Sequence, residues 1–265
     1  MTSTTTLPLA FTDLGSGDTG LLFLPGWCGD RSLYDGVVDR LAPRHRVVSV
    51  NWPGHGESPA PSADFDTADL AEAAAALAAD LGLRRVVPVA IAHAGWIALG
   101  LRRRLGPDVV SGVVLLDWMF LGPPPPFLEA LEALQRESDW QAVRAGLFAM
   151  WTEGLDLPEL DAYVADMGRQ DFAMWSRAGR EISAAFAAEG APAEAFARLT
   201  PECPVLHAYA QPADPDLLAA QQEFAAQHSW FRVERFDASS HFPPLEVPDA
   251  VAALVGEYVE QIEDR

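Results

Sequence analysis

Short, unbroken runs of apolar residues recur along the chain, and several end on Pro-Gly. Residues 21–24 stop at Pro25-Gly26, and residues 47–52 stop at Pro53-Gly54. Similar runs follow at 86–91, 112–117 and 205–210, and the more charged segment 231–236 completes the set of expected strands. Stretches of this length with no alternation predict strands buried on both faces, as in a parallel sheet. Between them lie helical patterns. Residues 67–81 are Ala-rich, with Leu70, Leu77 and Leu81 close to helical spacing. Residues 96–105 are apolar and then basic, and the three arginines near the end suit the negative pole of a helix. Strands alternating with helices predict an α/β fold, a mostly parallel central sheet covered on both faces.

One interval breaks the alternation. Residues 118–200 contain no clear strand, only helix-like stretches, with a proline run at 123–126 at the entrance. They carry Trp118, Trp140, Trp151 and Trp175. A helical, aromatic-rich insertion between sheet strands predicts a cap over a binding site at the strands' C-terminal ends. The expected organisation is a core of residues 1–117 and 201–265 with a helical cap at 118–200. Some of the tryptophans serve the cap's own packing, but four in so short an interval exceed what packing needs.

Composition narrows the function classes. The 265 residues are 49% hydrophobic and 21% charged, enough apolar material for a folded core. The net charge of −20 repels phosphate, so neither nucleic acid nor an anionic membrane surface is an expected partner. Cys28 and Cys203 are too few for a disulfide framework or a zinc site. No apolar run is long enough to span a membrane, and residues 1–9 carry no export signal. A soluble, cytoplasmic protein is expected.

Residues 86–96 run from a strand directly into a helix. In α/β-hydrolases this junction is the nucleophile elbow, a strained turn flanked by small residues. Ala90 and Ala94 supply the small flanks, but the central residue is Ala92, so the expected nucleophile is missing. Leu24-Pro25-Gly26-Trp27 stands where a loop donates an N–H to an oxyanion hole, and the His93 N–H is the partner donor. Asn51 to Ser58 resembles the G-H-G-x-S turn after an early strand of that fold. His241, in Ser239-Ser240-His241-Phe242-Pro243, follows the last strand, where the histidine of a triad belongs. Two acids compete to orient it: Asp214 after the penultimate strand, and Asp117 one strand earlier. Either could equally be a helix N-cap or a turn residue, and patterning does not separate them.

Other candidates carry little chemistry. Cys28 lies off the elbow and reads as a packed thiol. His55 is expected to anchor its turn, and His45, His207 and His228 to be surface or structural residues. No metal-ligand spacing and no dinucleotide fingerprint is present.

Taken together, the tryptophan-bearing motifs point further. Leu24-Pro25-Gly26-Trp27-Cys28, Asn51-Trp52-x-Gly54-His55-Gly56-x-Ser58-Pro59, His93-x-Gly95-Trp96, Asp117-Trp118, Gly146-Leu147-Phe148-x-x-Trp151 and His241-Phe242-Pro243 resemble one group. It is the cofactor-free ring-cleaving 2,4-dioxygenases of 3-hydroxy-4-oxoquinolines and 3-hydroxy-4-oxoquinaldine, which share the α/β-hydrolase fold. Trp175-x-Arg177-x-Gly179-Arg180 and Gln227-His228-x-Trp230-Phe231 are similar too, so the resemblance runs through nearly the whole chain. It implies base catalysis: a His-Asp dyad removes the proton of the substrate's 3-hydroxyl. The anion then reacts with dioxygen without metal or flavin, and carbon monoxide leaves. Carried over, the base is His241 and its acid Asp117, which decides against Asp214. Trp27 and His93 match loops whose N–H groups face the substrate's oxygen, Ala92 and Trp175 match further positions at the substrate, and Trp151 matches a cavity-lining cap residue. The implied partners are a small aromatic molecule and O2.

The chain departs from that group at three positions. It has Ala92 where the group carries Ser, and Gly29 and Ile91 where it carries His. Loss of a catalytic serine costs a hydrolase on the order of 10⁶ in rate. A serine that only hydrogen-bonds a substrate is worth roughly 1–3 kcal/mol. Two alternatives stand beside the dioxygenase: a hydrolase silenced by Ala92, and a scaffold recruited as a binder or for other proton-transfer chemistry.

Overall fold

The computed structural model describes residues 7–263. The first half of the chain forms β1 (Ala10–Leu14), β2 (Thr19–Leu24), α1 (Asp35–Leu41), β3 (Arg46–Asn51), α2 (Thr67–Asp80), β4 (Arg85–Ile91), α3 (Gly95–Leu105) and β5 (Val113–Leu116). Five helices follow: α4 (Pro125–Leu134), α5 (Trp140–Thr152), α6 (Pro158–Met167), α7 (Phe172–Glu189) and α8 (Pro192–Ala197). The chain then returns through β6 (Val205–Tyr209), α9 (Pro215–Gln227), β7 (Phe231–Arg235), α10 (Pro243–Glu246) and α11 (Pro248–Glu263).

The strands form one sheet in the order β1-β3-β2-β4-β5-β6-β7. All neighbours are parallel except β1, which runs antiparallel to β3. Every residue of β2 and of β4 to β6 is buried apart from Arg85, which explains their unbroken apolar sequence. Helix α2 starts at a capping box between Asp66 and Asp69, and α3 crosses it so closely that a Cβ on Gly100 would stand 2.9 Å from that of Ala71.

The sequence pattern did not reveal β1. Its Ala-Phe-Thr-Asp-Leu stretch lies on the sheet edge, with Phe11 and Leu14 exposed, so no buried run marks it. The Arg46–Asp13 ion pair helps to hold it in register. Helices α1 and α11, which pack together, and α9 were also not located from the pattern. Between β5 and β6 every regular element is helical. Most of residues 1–9, read as lacking an export signal, falls outside the described residues, as does the expected core's end at 265. Among the described residues no helix is long and apolar enough to cross a membrane.

Candidate active site

Because the strands are parallel, the turns after β2, β4, β5 and β6 and the segment after β7 gather at one edge of the sheet, beneath α4 to α7. There they border a partly open cavity. Trp27, Ala92, His93, Asp117, Trp151, Trp175 and His241 all line it. The helices between β5 and β6 contribute Phe127, Leu131 and Leu134 from α4, Leu147 from α5, Tyr163 and Met167 from α6, and Ala178 and Ile182 from α7. The walls are therefore mainly aliphatic and aromatic, with the few polar groups clustered at the strand ends. Trp118 lines it too, whereas Trp140 packs against Phe172 and under Arg144, away from the cavity.

Ala92 has φ +48°, the left-handed conformation of an elbow residue. A non-glycine residue there is strained by about 1–2 kcal/mol, so the turn is kept although no side-chain oxygen stands at its tip. The loop after β2 is held by the Trp52 indole N–H, which donates to the Pro25 carbonyl at 2.7 Å. Asn51 Oδ1 accepts the Arg31 N–H at 2.8 Å, and the Ser58 hydroxyl ties the turn to the Ala10 N–H and the Asn51 carbonyl. His55 is fully buried in this turn with Nδ1 on the Pro53 carbonyl, and burial pushes its pKa down to about 4.

Asp117 is the second strained residue, with φ +43°. Its N–H extends the β5–β6 ladder to the Ala208 carbonyl, and the chain then turns sharply. The buried carboxylate accepts the N–H of Ala210 at 2.7 Å and that of Gln211 at 3.2 Å. Its Oδ1 also accepts from His241 Nδ1 at 3.3 Å. A carboxylate can only accept, so Nδ1 carries the proton and Nε2 is left as the basic nitrogen. Asp214, the other candidate acid, instead caps α9 by accepting the Asp216 N–H.

The segment bearing His241 is fixed from several sides. Glu246 accepts the N–H groups of Ser239 and Ser240, and the Trp151 carbonyl accepts the His241 N–H at 2.8 Å. Gln211 Nε2 donates to the Ser239 carbonyl at 2.6 Å and to the Met150 carbonyl at 3.0 Å, linking cap and core beside the dyad. The Trp151 ring stacks on the imidazole of His241.

The imidazole of His93 has a role that the sequence did not disclose. Its Nδ1 accepts the indole N–H of Trp118 at 3.3 Å, so the neutral ring carries its proton on Nε2. It stacks on Phe127 and meets Phe186 edge-on. Burial, with a smaller effect from neighbouring His241, pushes its pKa down to about 3. His207, Gln221 and Gln211 were likewise not singled out as site supports, since nothing in their local sequence distinguishes them. Cys28 is a buried thiol whose pKa burial raises.

The departure at Gly29 has a steric partner. A Cβ at this position would stand 2.1 Å from the Tyr163 hydroxyl, so a tyrosine from the cap fills the space that a side chain at 29 would need. At the second departure, Ile91 adds a buried aliphatic wall to the cavity.

Residues 21–254 match the model of the alpha/beta hydrolase family. The chain is 37% identical over 237 residues to the 2-heptyl-3-hydroxy-4-quinolone dioxygenase AqdC1 of Rhodococcus erythropolis, covering 89% of this chain and 85% of the relative. It is 32% identical over 241 residues to the 1H-3-hydroxy-4-oxoquinoline 2,4-dioxygenase of Pseudomonas putida, covering 91% of each. A solved structure of an AqdC variant in complex with its substrate superposes with a TM-score of 0.90 at 33% identity, covering 97% of this chain and 96% of the other. That protein recognises and ring-cleaves the Pseudomonas quinolone signal.

Proposed function

Because this chain belongs to the alpha/beta hydrolase family and, within it, to the group of the 3-hydroxy-4-oxoquinoline 2,4-dioxygenases, we propose that it cleaves a 2-alkyl-3-hydroxy-4-quinolone with O2. The observation that carries this reading is the His241–Asp117 pair at the polar end of an apolar cavity, beside an elbow that has no nucleophile. His241 Nε2 takes the proton of the substrate's 3-hydroxyl, and Asp117 holds the resulting imidazolium. The anion gives its electrons to O2, which forms new C–O bonds at C2 and C4. The C2–C3, C3–C4 and O–O bonds break, C3 leaves with its oxygen as carbon monoxide, and an N-acylanthranilate remains. Both atoms of O2 end in that product, so no external reductant is consumed and the chain's own contribution is a base and a shaped cavity.

The remaining site residues take roles in this scheme. Trp27 and His93 border the oxygen-bearing edge of the bicycle, Ala92 forms the floor, and Trp151 and Trp175 flank the flat ring. Leu131, Leu134, Leu147 and Ile182 accept an aliphatic substituent, in keeping with the 2-heptyl substrate of the Rhodococcus relative. Residues 118–200 act as the cap that encloses the ligand, on the core of 1–117 and 201–265. A hydrolase would need an oxygen or sulfur nucleophile at the elbow, and Ala92 offers a methyl group.

The test is dioxygen uptake and carbon monoxide release with 2-heptyl-3-hydroxy-4-quinolone, without added metal or flavin. Equal molar uptake and release is expected. Conversion without oxygen, or binding without conversion, would replace this reading with a recruited enzyme or a binder.

A further inference from the structure

Asp117 and Trp118 are adjacent, and each governs one histidine of the cavity: Asp117 accepts from His241, and the Trp118 indole donates to His93. Both positions depend on one bend, at a residue with φ +43°, a conformation that aspartate adopts more readily than most non-glycine residues but still at a cost. Strand β6 and the turn after it supply what holds the bend. The Ala208 carbonyl accepts the Asp117 N–H, and the Ala210 and Gln211 N–H groups bind the carboxylate. The remaining backbone donor, the Trp118 N–H, is bound by a side chain, His207 Nε2, at 3.3 Å.

His207 can accept there only while Nε2 carries no proton. Its Nδ1 lies 2.6 Å from Gln221 Oε1, an oxygen that only accepts, so the proton is kept on Nδ1. Both residues are buried, at 1% exposure each. The imidazole packs on aromatic rings, parallel to Tyr209 with centroids 5.3 Å apart and 5.6 Å from Phe120. Among the charged groups around it, Asp117 favours the imidazolium, yet burial outweighs this and pushes its pKa down to about 4.

We propose that His207 and Gln221 are positioning residues for the reaction: Gln221 fixes the Nδ1–H tautomer of His207, and His207 Nε2 holds the Trp118 N–H so that Asp117 and Trp118 meet their two histidines. Neither residue touches the cavity. The inference rests on the His241–Asp117 reading. A reading that failed would show as full turnover in His241→Ala, whatever His207 did.

Two measurements test it. In the wild-type enzyme, ¹⁵N NMR of the His207 ring is expected to show the Nδ1–H tautomer unchanged from pH 5.5 to 8.5. An Nε2–H tautomer, or a titration near pH 6.5, would overturn the proposal. Gln221→Glu then places a carboxylate of nearly the same shape beside Nδ1. This favours the imidazolium, whose Nε2–H would face the Trp118 N–H, donor against donor. The expected result is a loss of kcat of about tenfold or more at pH 6, recovering as the pH rises and the imidazolium deprotonates, with the KM for the quinolone changed much less. A purely structural residue gives no such pH-reversible limb. A variant with the wild-type pH profile at matched thermal stability would overturn the proposal. Should Gln221→Glu not fold, the tautomer measurement on the wild type still decides.

Discussion

Trp151 and His241 are bound to each other twice. Their rings stack with centroids 5.2 Å apart at 22°, and the Trp151 carbonyl accepts the His241 N–H at 2.8 Å. The first contact depends on the side chain and the second does not. Helix α5 thereby takes part in placing the His241 imidazole while lining the cavity.

Trp151→Ala keeps the backbone contact and removes the ring. A stacked aromatic pair is worth about 0.5–1.5 kcal/mol beyond buried area, so affinity for a flat quinolone is expected to fall about threefold to tenfold. Trp151→Phe should recover most of it. Equilibrium binding under anaerobic conditions measures this, and an unchanged Kd in Trp151→Ala would remove the residue from the ligand's walls.

The dyad makes a sharper prediction. His241→Ala removes the imidazole bound to Asp117, and kcat is expected to fall by about 10²–10⁴ if it is the base. Asp117→Asn sets an amide NH₂ against one of the donors now bound by the carboxylate, the N–H of Ala210, the N–H of Gln211 or Nδ1 of His241. A comparable loss follows. Asp214→Asn leaves the rate unchanged, because Asp214 caps a helix and asparagine caps equally well. Steady-state oxygen consumption by the three variants checks this, and the reverse order of Asp117 and Asp214 would restore ordinary hydrolase geometry.

Ala92→Ser returns a hydroxyl to the elbow. In a base-driven reaction it adds at most one hydrogen bond to the substrate, so oxygen consumption should change by no more than about tenfold. Ester hydrolysis should stay at background. A gain of orders of magnitude in p-nitrophenyl ester cleavage would instead mark a silenced hydrolase.

The parts of this site that lie in contiguous sequence were legible there. The elbow around Ala92, the Pro25-Gly26-Trp27 loop and Asp117-Trp118 each follow a buried apolar run, His241 follows the half-buried β7, and the parallel sheet brings those ends together. What supports them was hidden, because it depends on side chains meeting across the fold. His207 and Gln221 are 14 positions apart on a strand and a helix, and His93 pairs with an indole 25 positions away. Choosing Asp117 over Asp214 likewise needed the resemblance or the coordinates, since both follow a strand. Strand β1 escaped notice for a different reason: an edge strand with an exposed face need not be apolar.

Acid should weaken the fold through two buried histidines that do not line the cavity. His55 and His207 are buried with pKa values of about 4, against about 6.5 in the unfolded chain. Above pH 6.5 both are neutral in either state and contribute no pH dependence. Below it the unfolded chain binds their protons and the native protein does not, until about pH 4. Stability is thus expected to fall through that window by up to about 1.4 kcal/mol per pH unit for each histidine. Urea unfolding at pH 7.5, 6.5, 5.5 and 4.5 checks this, and a flat profile between 6.5 and 4.5 would contradict their buried neutral state.

The exchange at Gly29 predicts a compensated pair. A methyl group there would lie 2.1 Å from the Tyr163 hydroxyl oxygen and 3.0 Å from the ring carbon bearing it. Tyr163 cannot easily retreat, because its ring is held edge-on against Phe242, next to His241. Gly29→Ala is therefore expected to cost about 1–3 kcal/mol, the usual range for overpacking, and to lower kcat by disturbing Phe242. Tyr163→Phe removes the closer atom and leaves a tight but tolerable contact. In the double variant, part of the loss from Gly29→Ala should return, giving a coupling of at least about 0.5 kcal/mol. Chemical denaturation of the four proteins of this cycle measures it. Strict additivity would mean that Tyr163 does not hold the space that a side chain at 29 would need.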